Sequence, residues 1–271
     1  MIQISYKSLV RMIIMSLMVI FVTSCSDECD NPMLDSRLLS FTASITNNES
    51  RTFIEGTTMP IGSSVGVYLV DESDISYNGK VISNACFSTE DGIHFTTDDE
   101  ITLSNVVGTM YVYWPYNPNA TDMNAIPITD NDVDYLVSEP ALDVSIVNTH
   151  PKLNMKHLMT RIRLVLDKTH YKGVGLMTEF SINSNALCHT GSLNLKTGSI
   201  NPNEDRYTHT SSIYYTLSDT PWQHELMALT TGYQGELNIS FIIDGIEYYF
   251  DLHDIKFETG KIYTFNIEFK S

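Results

Sequence analysis

The sequence has few basic residues, few cysteines and no apolar run long enough to cross a membrane. Lys and Arg number 16 against 33 Asp and Glu, so the 271-residue chain has a formal charge of −17. Because phosphate binding needs clustered Lys and Arg, this balance excludes a nucleic-acid partner. Four cysteines are too few for the disulfide framework of an exported scaffold. Cys86 and Cys188 are therefore interpreted as small buried apolar side chains.

What the sequence does contain is apolar residues that alternate with polar ones. Hydrophobic residues make up 42% of the chain, which is enough for packed cores. No helical stripe exceeds about two turns, whereas period-two rows recur, as expected for strands with one face on a core. The rows are Leu39, Phe41, Ala43 and Ile45; Val65, Val67 and Leu69; Met110, Val112 and Trp114; Ile162, Leu164 and Leu166; Leu237, Ile239, Phe241 and Ile243; Ile246, Tyr248, Phe250 and Leu252; and Tyr263, Phe265, Ile267 and Phe269. The chain is predicted to be all-β.

Turn signals and prolines predict how the strands are grouped. The dipeptides Asn78-Gly79, Asp91-Gly92 and Asp244-Gly245 favour two-residue hairpins, because both turn positions need a positive φ. Thr197-Gly198 predicts a further hairpin. Five of the nine prolines lie within residues 115–151, in a stretch rich in Asn and Asp. We therefore predict two β-sandwich domains, residues 38–150 and 151–271.

The first 24 residues have the pattern of a secretory signal. Lys7 and Arg11 precede an almost wholly apolar run at residues 12–22, which is shorter than the roughly 20 residues that span a membrane. Val22-Thr23-Ser24-Cys25 then resembles the lipobox of bacterial lipoproteins, which implies that Cys25 carries the lipid and that residues 1–24 are removed. An ordinary signal peptide with a chance cysteine is the alternative. Residues 25–37 are short and acidic, as in a solvated tether, and also resemble the surface-export signal of lipoproteins in the Bacteroidota.

Motifs for catalysis or metal binding are incomplete. His224-Glu225 lacks the second histidine of a zinc protease, because position 228 is alanine. Asp130, Asp132 and Asp134 lack the glycine and the bidentate glutamate of a calcium loop. No motif supports an exported glycosidase. With 33 acidic residues, some pair of carboxylates lies at the spacing needed for glycoside hydrolysis by chance, so such a pair is not evidence. We therefore predict no catalytic residue, no metal site and no cofactor.

One aromatic run is a candidate for ligand binding. Tyr113, Trp114 and Tyr116 are close enough in sequence to form a platform on which a sugar ring could stack. The alternative is a strand with aromatic side chains on both of its faces. The first interpretation requires that the three rings share one exposed surface.

The order of these features resembles the fimbrillins, the type V pilus subunits and relatives that Bacteroidota export as lipoproteins. The similar segments are the lipobox at Cys25, the alternating strand at 38–45, the small-residue and aromatic strand at 61–68, the aromatic-Pro-Tyr segment at 111–116, residues 134–137 and 157–162, and the terminal strand at 260–267. The resemblance implies two Greek-key sandwiches of the transthyretin-like sort and a pilus or adhesion role without an active site. It also implies an outer-membrane or fimbrial location, with the outer membrane reached through the N-terminal lipid.

The same resemblance implies how the protein would assemble. Arg51 matches the position at which an Arg-specific protease cuts shaft subunits, directly after the row Leu39, Phe41, Ala43 and Ile45. Cleavage there would release an exchangeable strand, and a strand from another pilus subunit would replace it. The alternative is a permanent strand and an ordinary loop arginine. The sequence stops at Ser271 directly after the terminal strand, which favours a tip, accessory or anchor role over a shaft role.

A second class of function stays open at this point. A cell-surface glycan-binding lipoprotein outside any pilus would share the lipobox and the sandwiches. The placement of Arg51 favours the pilus component, whereas exposed clustering of Tyr113, Trp114 and Tyr116 would favour the glycan-binding protein. No receptor on a host or bacterial surface is indicated by the sequence.

Overall fold

The structure is a computed structural model that describes residues 37–46, 57–129, 133–203 and 206–269. Within these residues every regular element is a β-strand, so the predicted all-β class is confirmed. The strands in the first part of the chain are β1 (Phe41–Ile45), β2 (Ser64–Val70), β3 (Ile82–Ser88), β4 (His94–Phe95), β5 (Gly108–Trp114), β6 (Ile126–Ile128), β7 (Leu136–Ser138), β8 (Ala141–Val144) and β9 (Lys152–His157). Those that follow are β10 (Thr160–Asp167), β11 (Leu176–Ser184), β12 (Leu187–Cys188), β13 (Gly191–Asn194), β14 (Ser199–Pro202), β15 (Tyr207–Thr216), β16 (Trp222–Thr230), β17 (Gln234–Ile243), β18 (Ile246–Lys256) and β19 (Ile262–Glu268).

The first part of the chain forms one eight-stranded sheet around a single core. The strand order is β3-β2-β5-β7-β9-β1-β4, and β8 pairs with β5. Side chains from all of these strands meet in one apolar cluster, here called the N-terminal core. Its buried members are Leu39, Phe41, Ala43, Ile45, Met59, Val65, Val67, Leu69, Tyr77, Phe87, Phe95, Leu103, Met110, Val112, Leu136, Val144, Leu153 and Met155. Since both ends of the sheet contribute to the same cluster, the sheet folds over on itself.

The second part is a sandwich of two four-stranded sheets, ordered β12-β16-β10-β19 and β15-β11-β17-β18. The row Ile162, Leu164 and Leu166 on β10 faces the row of β17 across the C-terminal core. The buried members of that core are Ile162, Leu164, Leu166, Met177, Phe180, Ile182, Ala186, Leu187, Tyr207, Leu217, Trp222, Leu226, Ala228, Leu237, Ile239, Phe241, Ile243, Phe257 and Ile267. The inward rows predicted from alternation on β10 and β17 are therefore confirmed.

The predicted hairpins form, with one exception. Asp244 and Gly245 join β17 to β18 with φ values of 51° and 77°, and the same geometry occurs at Asn78 and Gly79. Residues around Thr197 join β13 to β14. The two-residue turn predicted at Asp91-Gly92 is wrong, because the bridge that closes this loop joins Ser88 to Thr96.

Asp91 itself explains the longer loop. Its Oδ1 atom accepts hydrogen bonds from the backbone N–H groups of Ile93 and His94, each at 2.8 Å. These bonds, together with the His94 side chain, hold the pKa of the Asp91 carboxyl well below its usual range. The aspartate therefore organises a wider loop through its side chain rather than entering a tight turn through its backbone.

The chain changes sheets directly after β9. Although β9 follows residue 150, it pairs with β1 and β7 in the first sheet, and β10 begins the second part at Thr160. A three-stranded sheet, β14-β13-β6, spans both parts because Ile126 of β6 pairs with Leu193 of β13. The division into domains at residues 38–150 and 151–271 stays a prediction.

A third apolar cluster, here called the junction cluster, connects the two parts. Its buried members are Tyr68, Val70, Tyr113, Ala120, Met123, Ile126, Ile128, Tyr135, Val137, Leu158, Met159, Cys188, Leu193, Leu195, Met227 and Leu229. Tyr68 and Tyr113 come from the first sheet, whereas Met227 and Leu229 come from β16. β2 along most of its length and β16 in its second half are thus buried on both faces, as their continuous apolar runs there require.

Tyr113 is completely buried in the junction cluster. Its ring lies over Gly66, the residue opposite it on β2, where an added Cβ would approach Tyr113 Cε1 to 2.1 Å. The Tyr113 hydroxyl donates to Asn84 Oδ1 at 2.8 Å and accepts from the backbone N–H of Asn117 at 3.1 Å. Burial raises the pKa of this phenol to about 12, so the hydroxyl stays protonated at neutral pH.

The C-terminal core predicts the effect of truncating Phe241. This side chain is fully buried and lies edge-on to Trp222 and Phe250, with ring centroids 6.0 Å apart in each pair. We expect Phe241→Ala to lower the free energy of unfolding by about 3–5 kcal/mol, because it leaves a cavity. Urea denaturation measures the change. Tyr249→Ala on the neighbouring β18, where the side chain is 63% exposed, is the matched control and should shift stability by less than about 0.5 kcal/mol. Equal effects of the two variants would contradict the packing of β17.

The Tyr113 hydroxyl predicts a second stability change. Tyr113→Phe keeps the ring over Gly66 but leaves Asn84 Oδ1 and the Asn117 N–H without this partner. We expect a loss of about 1–3 kcal/mol, measured by urea denaturation, because buried polar groups that lose a hydrogen bond are destabilising. Tyr214→Phe, at a side chain that is 85% exposed, should leave stability unchanged. If Tyr113→Phe has the same free energy of unfolding as the parent protein, the hydroxyl does not contribute to stability.

Candidate functional site

The candidate site is the position of β1 in the first sheet. β1 runs parallel to β9, with Ala43 opposite Leu153, and antiparallel to the two-residue strand β4, with Phe41 opposite Phe95. The sequence analysis did not find this arrangement, because a parallel partner more than 100 residues away leaves no local signal. β1 is thus an internal strand whose neighbour on one side is very short.

Backbone hydrogen bonds hold β1 on both sides. N–H groups of residues 39–46, the segment that contains β1, donate to neighbouring segments on both sides. On one side the donors are Leu39, Ala43 and Ile45, which bond the carbonyls of Ile101, Ile93 and Thr57. On the other side the donors are Ser40, Thr42 and Thr46, which bond the carbonyls of Thr149, Pro151 and Met155. Removal of the strand would leave six carbonyl groups without these donors.

The side chains of β1 follow the predicted alternation. Leu39, Phe41, Ala43 and Ile45 are each at most 4% exposed, and all four belong to the N-terminal core. Phe41 stacks on Phe95 with ring centroids 5.1 Å apart and also contacts Phe87 at 5.2 Å. The inward row is confirmed, whereas its exchange with a strand from another subunit stays a prediction.

Two predicted sites lie outside the described residues. Cys25, the predicted lipid attachment site, precedes residue 37, and Arg51, the predicted cleavage site, falls within residues 47–56. The structure describes the chain again from Thr57, whose carbonyl accepts the hydrogen bond from Ile45. Both sites stay predictions.

The predicted stacking platform does not form. Tyr113 is completely buried in the junction cluster, whereas Trp114 packs against the N-terminal core. The reason is that successive residues of a strand point to opposite faces of the sheet. Tyr116, which follows β5, is itself partly buried. The three rings therefore do not share an exposed surface, and the strand with aromatic side chains on both faces is the correct interpretation.

Asp134, His224 and Glu225 each contact other side chains, whereas Asp130 and Asp132 lie outside the described residues. Asp134 is buried, and its Oδ2 atom lies 2.6 Å from His157 Nδ1. His224 stacks on Trp222 at a centroid distance of 5.6 Å, and burial lowers the pKa of its imidazole. Across the described ranges, no three His, Cys, Asp or Glu side chains are grouped to hold a metal ion. Nor does any helix of those ranges have the length and apolar character needed to cross a membrane.

Solved structures of two Bacteroides proteins are similar to this chain. A crystal structure of a candidate cell adhesion protein from Bacteroides ovatus is similar with a TM-score of 0.63 and 17% identity, and the match covers 86% of this chain and 92% of that one. A candidate cell adhesion protein from Bacteroides uniformis matches with a TM-score of 0.60 and 16% identity, over 86% of this chain and 95% of that one. At these identities the similarity shows a shared fold. No curated protein sequence matches the chain.

The family follows from the sequence of the matched region. A family model described as fimbrillin-like matches residues 51–271, which include all strands from β2 to β19. This match agrees with the all-β architecture and with the two structural relatives. The chain therefore belongs to the fimbrillin-like family.

Proposed function

We propose that this protein is a pilus or cell-adhesion component, exported to the cell surface as a lipoprotein through Cys25 and assembled by strand exchange after cleavage at Arg51. Membership of the fimbrillin-like family supports a structural, non-enzymatic role, and the two structural relatives are described as candidate cell adhesion proteins. The observation that carries the assembly mechanism is the position of β1, which fills an apolar groove between β9 and β4.

Loss of β1 would create a strong binding site for an extended strand. Leu39, Phe41 and Ile45 represent roughly 5–9 kcal/mol of burial, at about 1.5–3 kcal/mol for each large apolar side chain. The six carbonyl groups that accept hydrogen bonds from residues 39–46 would also need new donors. A strand with apolar residues at alternate positions supplies both requirements, which is strand addition at the edge of a sheet. The partner is therefore a strand from another pilus subunit.

The two parts of the fold would respond differently to this exchange. Every buried side chain that β1 contributes lies in the N-terminal core, and none lies in the junction cluster. Departure of β1 would therefore open one core while β2, β5 and β16 keep their shared contacts. This supports exchange of the strand within an otherwise folded subunit. A tip, accessory or anchor position remains the expectation stated from the sequence.

Limited proteolysis tests the exchange. We expect an Arg-specific protease to cut the purified protein after Arg51 and the cut product to form SDS-resistant oligomers, because the opened groove must be refilled. Size-exclusion chromatography and mass spectrometry identify the product. Arg161 and Arg163 lie in β10 and pair with Glu225, which protects them from cleavage.

The matched control is Arg51→Gln, which should stay monomeric under the same protease treatment. This variant is needed because Arg37 and Arg206 are exposed and offer other cleavage sites. A cut at Arg37 leaves β1 attached and should not cause assembly. The mechanism is wrong if Arg51 resists cleavage in the folded protein or if the cut product keeps β1 and stays monomeric.

Membrane attachment through Cys25 has a separate test. We expect Cys25→Ala to lose incorporation of radiolabelled palmitate and to leave the membrane fraction, because stable anchoring needs two or more acyl chains on the protein. Cys29→Ala removes the neighbouring cysteine and should behave as the parent protein does. If Cys25→Ala still takes up label and sediments with membranes, Cys25 is not the lipid attachment site.

A further inference from the structure

A cavity of about 370 Å³ lies beside the junction cluster. The ends of β7 and β9, the β13–β14 turn and the turn before β19 form its walls, and Thr46 borders it directly after β1. Gly260 allows the last turn to come this close, since its φ is +71° and an added Cβ would lie 2.8 Å from the carbonyl oxygen of His157. The volume is at the lower end of the range for small-molecule sites, roughly 300–1,000 Å³.

Three lysines from three different elements line this junction cavity. They are Lys156 on β9, Lys196 in the β13–β14 turn and Lys261 directly before β19. The chain has only 16 basic residues against 33 acidic ones, so three lysines at one cavity contrast with the charge of the whole protein. Glu139 also lines the cavity and pairs with Lys156, so the lining keeps a net positive charge from the other two lysines.

These lysines can exchange their present partners for a ligand. Lys156 pairs with Glu139 and Lys196 pairs with Asp74, and both carboxylates are more than half exposed. Exposed ion pairs of this kind contribute little to stability. Lys261 forms no ion pair with any residue that the structure describes. An anion bound in the cavity would thus pair with Lys261 without the loss of a buried ion pair.

The remaining lining combines hydroxyl groups with apolar side chains. Thr46, Thr197 and Thr259 place hydroxyl groups on the lining. Leu158 and Leu195 lie behind it in the junction cluster, each at most 2% exposed. A ligand that matches this lining carries a negative charge and several hydroxyls.

We propose that the junction cavity binds a carboxylated monosaccharide. The carboxylate pairs with Lys261 and its neighbouring lysines, and the ring hydroxyls bond Thr46, Thr197 and Thr259. A sugar ring of this kind fits the volume, whereas an extended peptide does not. The proposal is independent of strand exchange, since the cavity exists in the uncut protein.

Calorimetric titration of the purified, uncut protein tests this proposal with a matched pair of probes. D-glucuronic acid and D-glucuronamide differ only in the carboxylate. We expect the acid to bind at least about tenfold more tightly than the amide, because charge-assisted hydrogen bonds are about twice as strong as neutral ones. N-acetylneuraminic acid is the second acidic probe. Added salt should weaken binding of the acids and leave the amide unaffected.

Variants assign the binding to the cavity. Lys261→Met should weaken binding of the acid about tenfold and leave the amide unchanged, as expected for loss of one charged partner. Lys172→Met, at an exposed lysine outside the cavity, should bind as the parent does. The proposal is overturned if neither acid binds, if acid and amide bind alike, or if Lys261→Met retains full affinity. Inorganic sulfate that binds as tightly as the sugar acids would also overturn it, since the site would then accept any small anion.

Discussion

The junction cluster is the contact on which the rest of the structure depends. It requires that β2, β5 and β16 bury side chains on both faces, one face in their own core and the other against the opposite part of the molecule. On β2, for example, Val67 faces the N-terminal core whereas Tyr68 faces the junction. The backbone pairing of β6 with β13 crosses the same boundary. Apolar packing and a sheet ladder therefore fix the two parts together.

In this arrangement the side chains of β1 pack only in the N-terminal core. The strand is hydrogen-bonded on both sides and its apolar row is buried, yet none of its side chains reaches the junction cluster. Such a strand is suited to exchange. A replacement strand would restore the apolar contacts and backbone hydrogen bonds of the N-terminal core and leave the packing of the junction cluster unchanged. The junction cavity, by contrast, draws its walls from both parts and belongs to the assembled fold.

Much of the local structure could be predicted because its physical cause is local. The alternation of Leu237, Ile239, Phe241 and Ile243 already places those side chains on one face, and Asp244-Gly245 determines the hairpin that follows. The same reasoning failed at Asp91-Gly92, where side-chain hydrogen bonds to the backbone outweigh the turn preference of the dipeptide. At Tyr113 and Trp114 the sequence left two interpretations open, and the structure supports the strand with aromatic side chains on both faces, since adjacent strand residues point to opposite faces of a sheet.

The sequence by itself determined the all-β class, most of the tight turns and the inward rows of β1, β10 and β17, because strand period and turn geometry depend on neighbouring residues. The row predicted on β18 is not fully inward, since Ile246 and Leu252 are exposed. Only the tertiary structure decided that β1 lies parallel to β9, that Tyr113 packs on Gly66 and that Lys156, Lys196 and Lys261 surround one cavity. These contacts join residues far apart in the chain. Their free energy comes from burying surfaces of separate elements against each other, and no local pattern encodes which surfaces will meet.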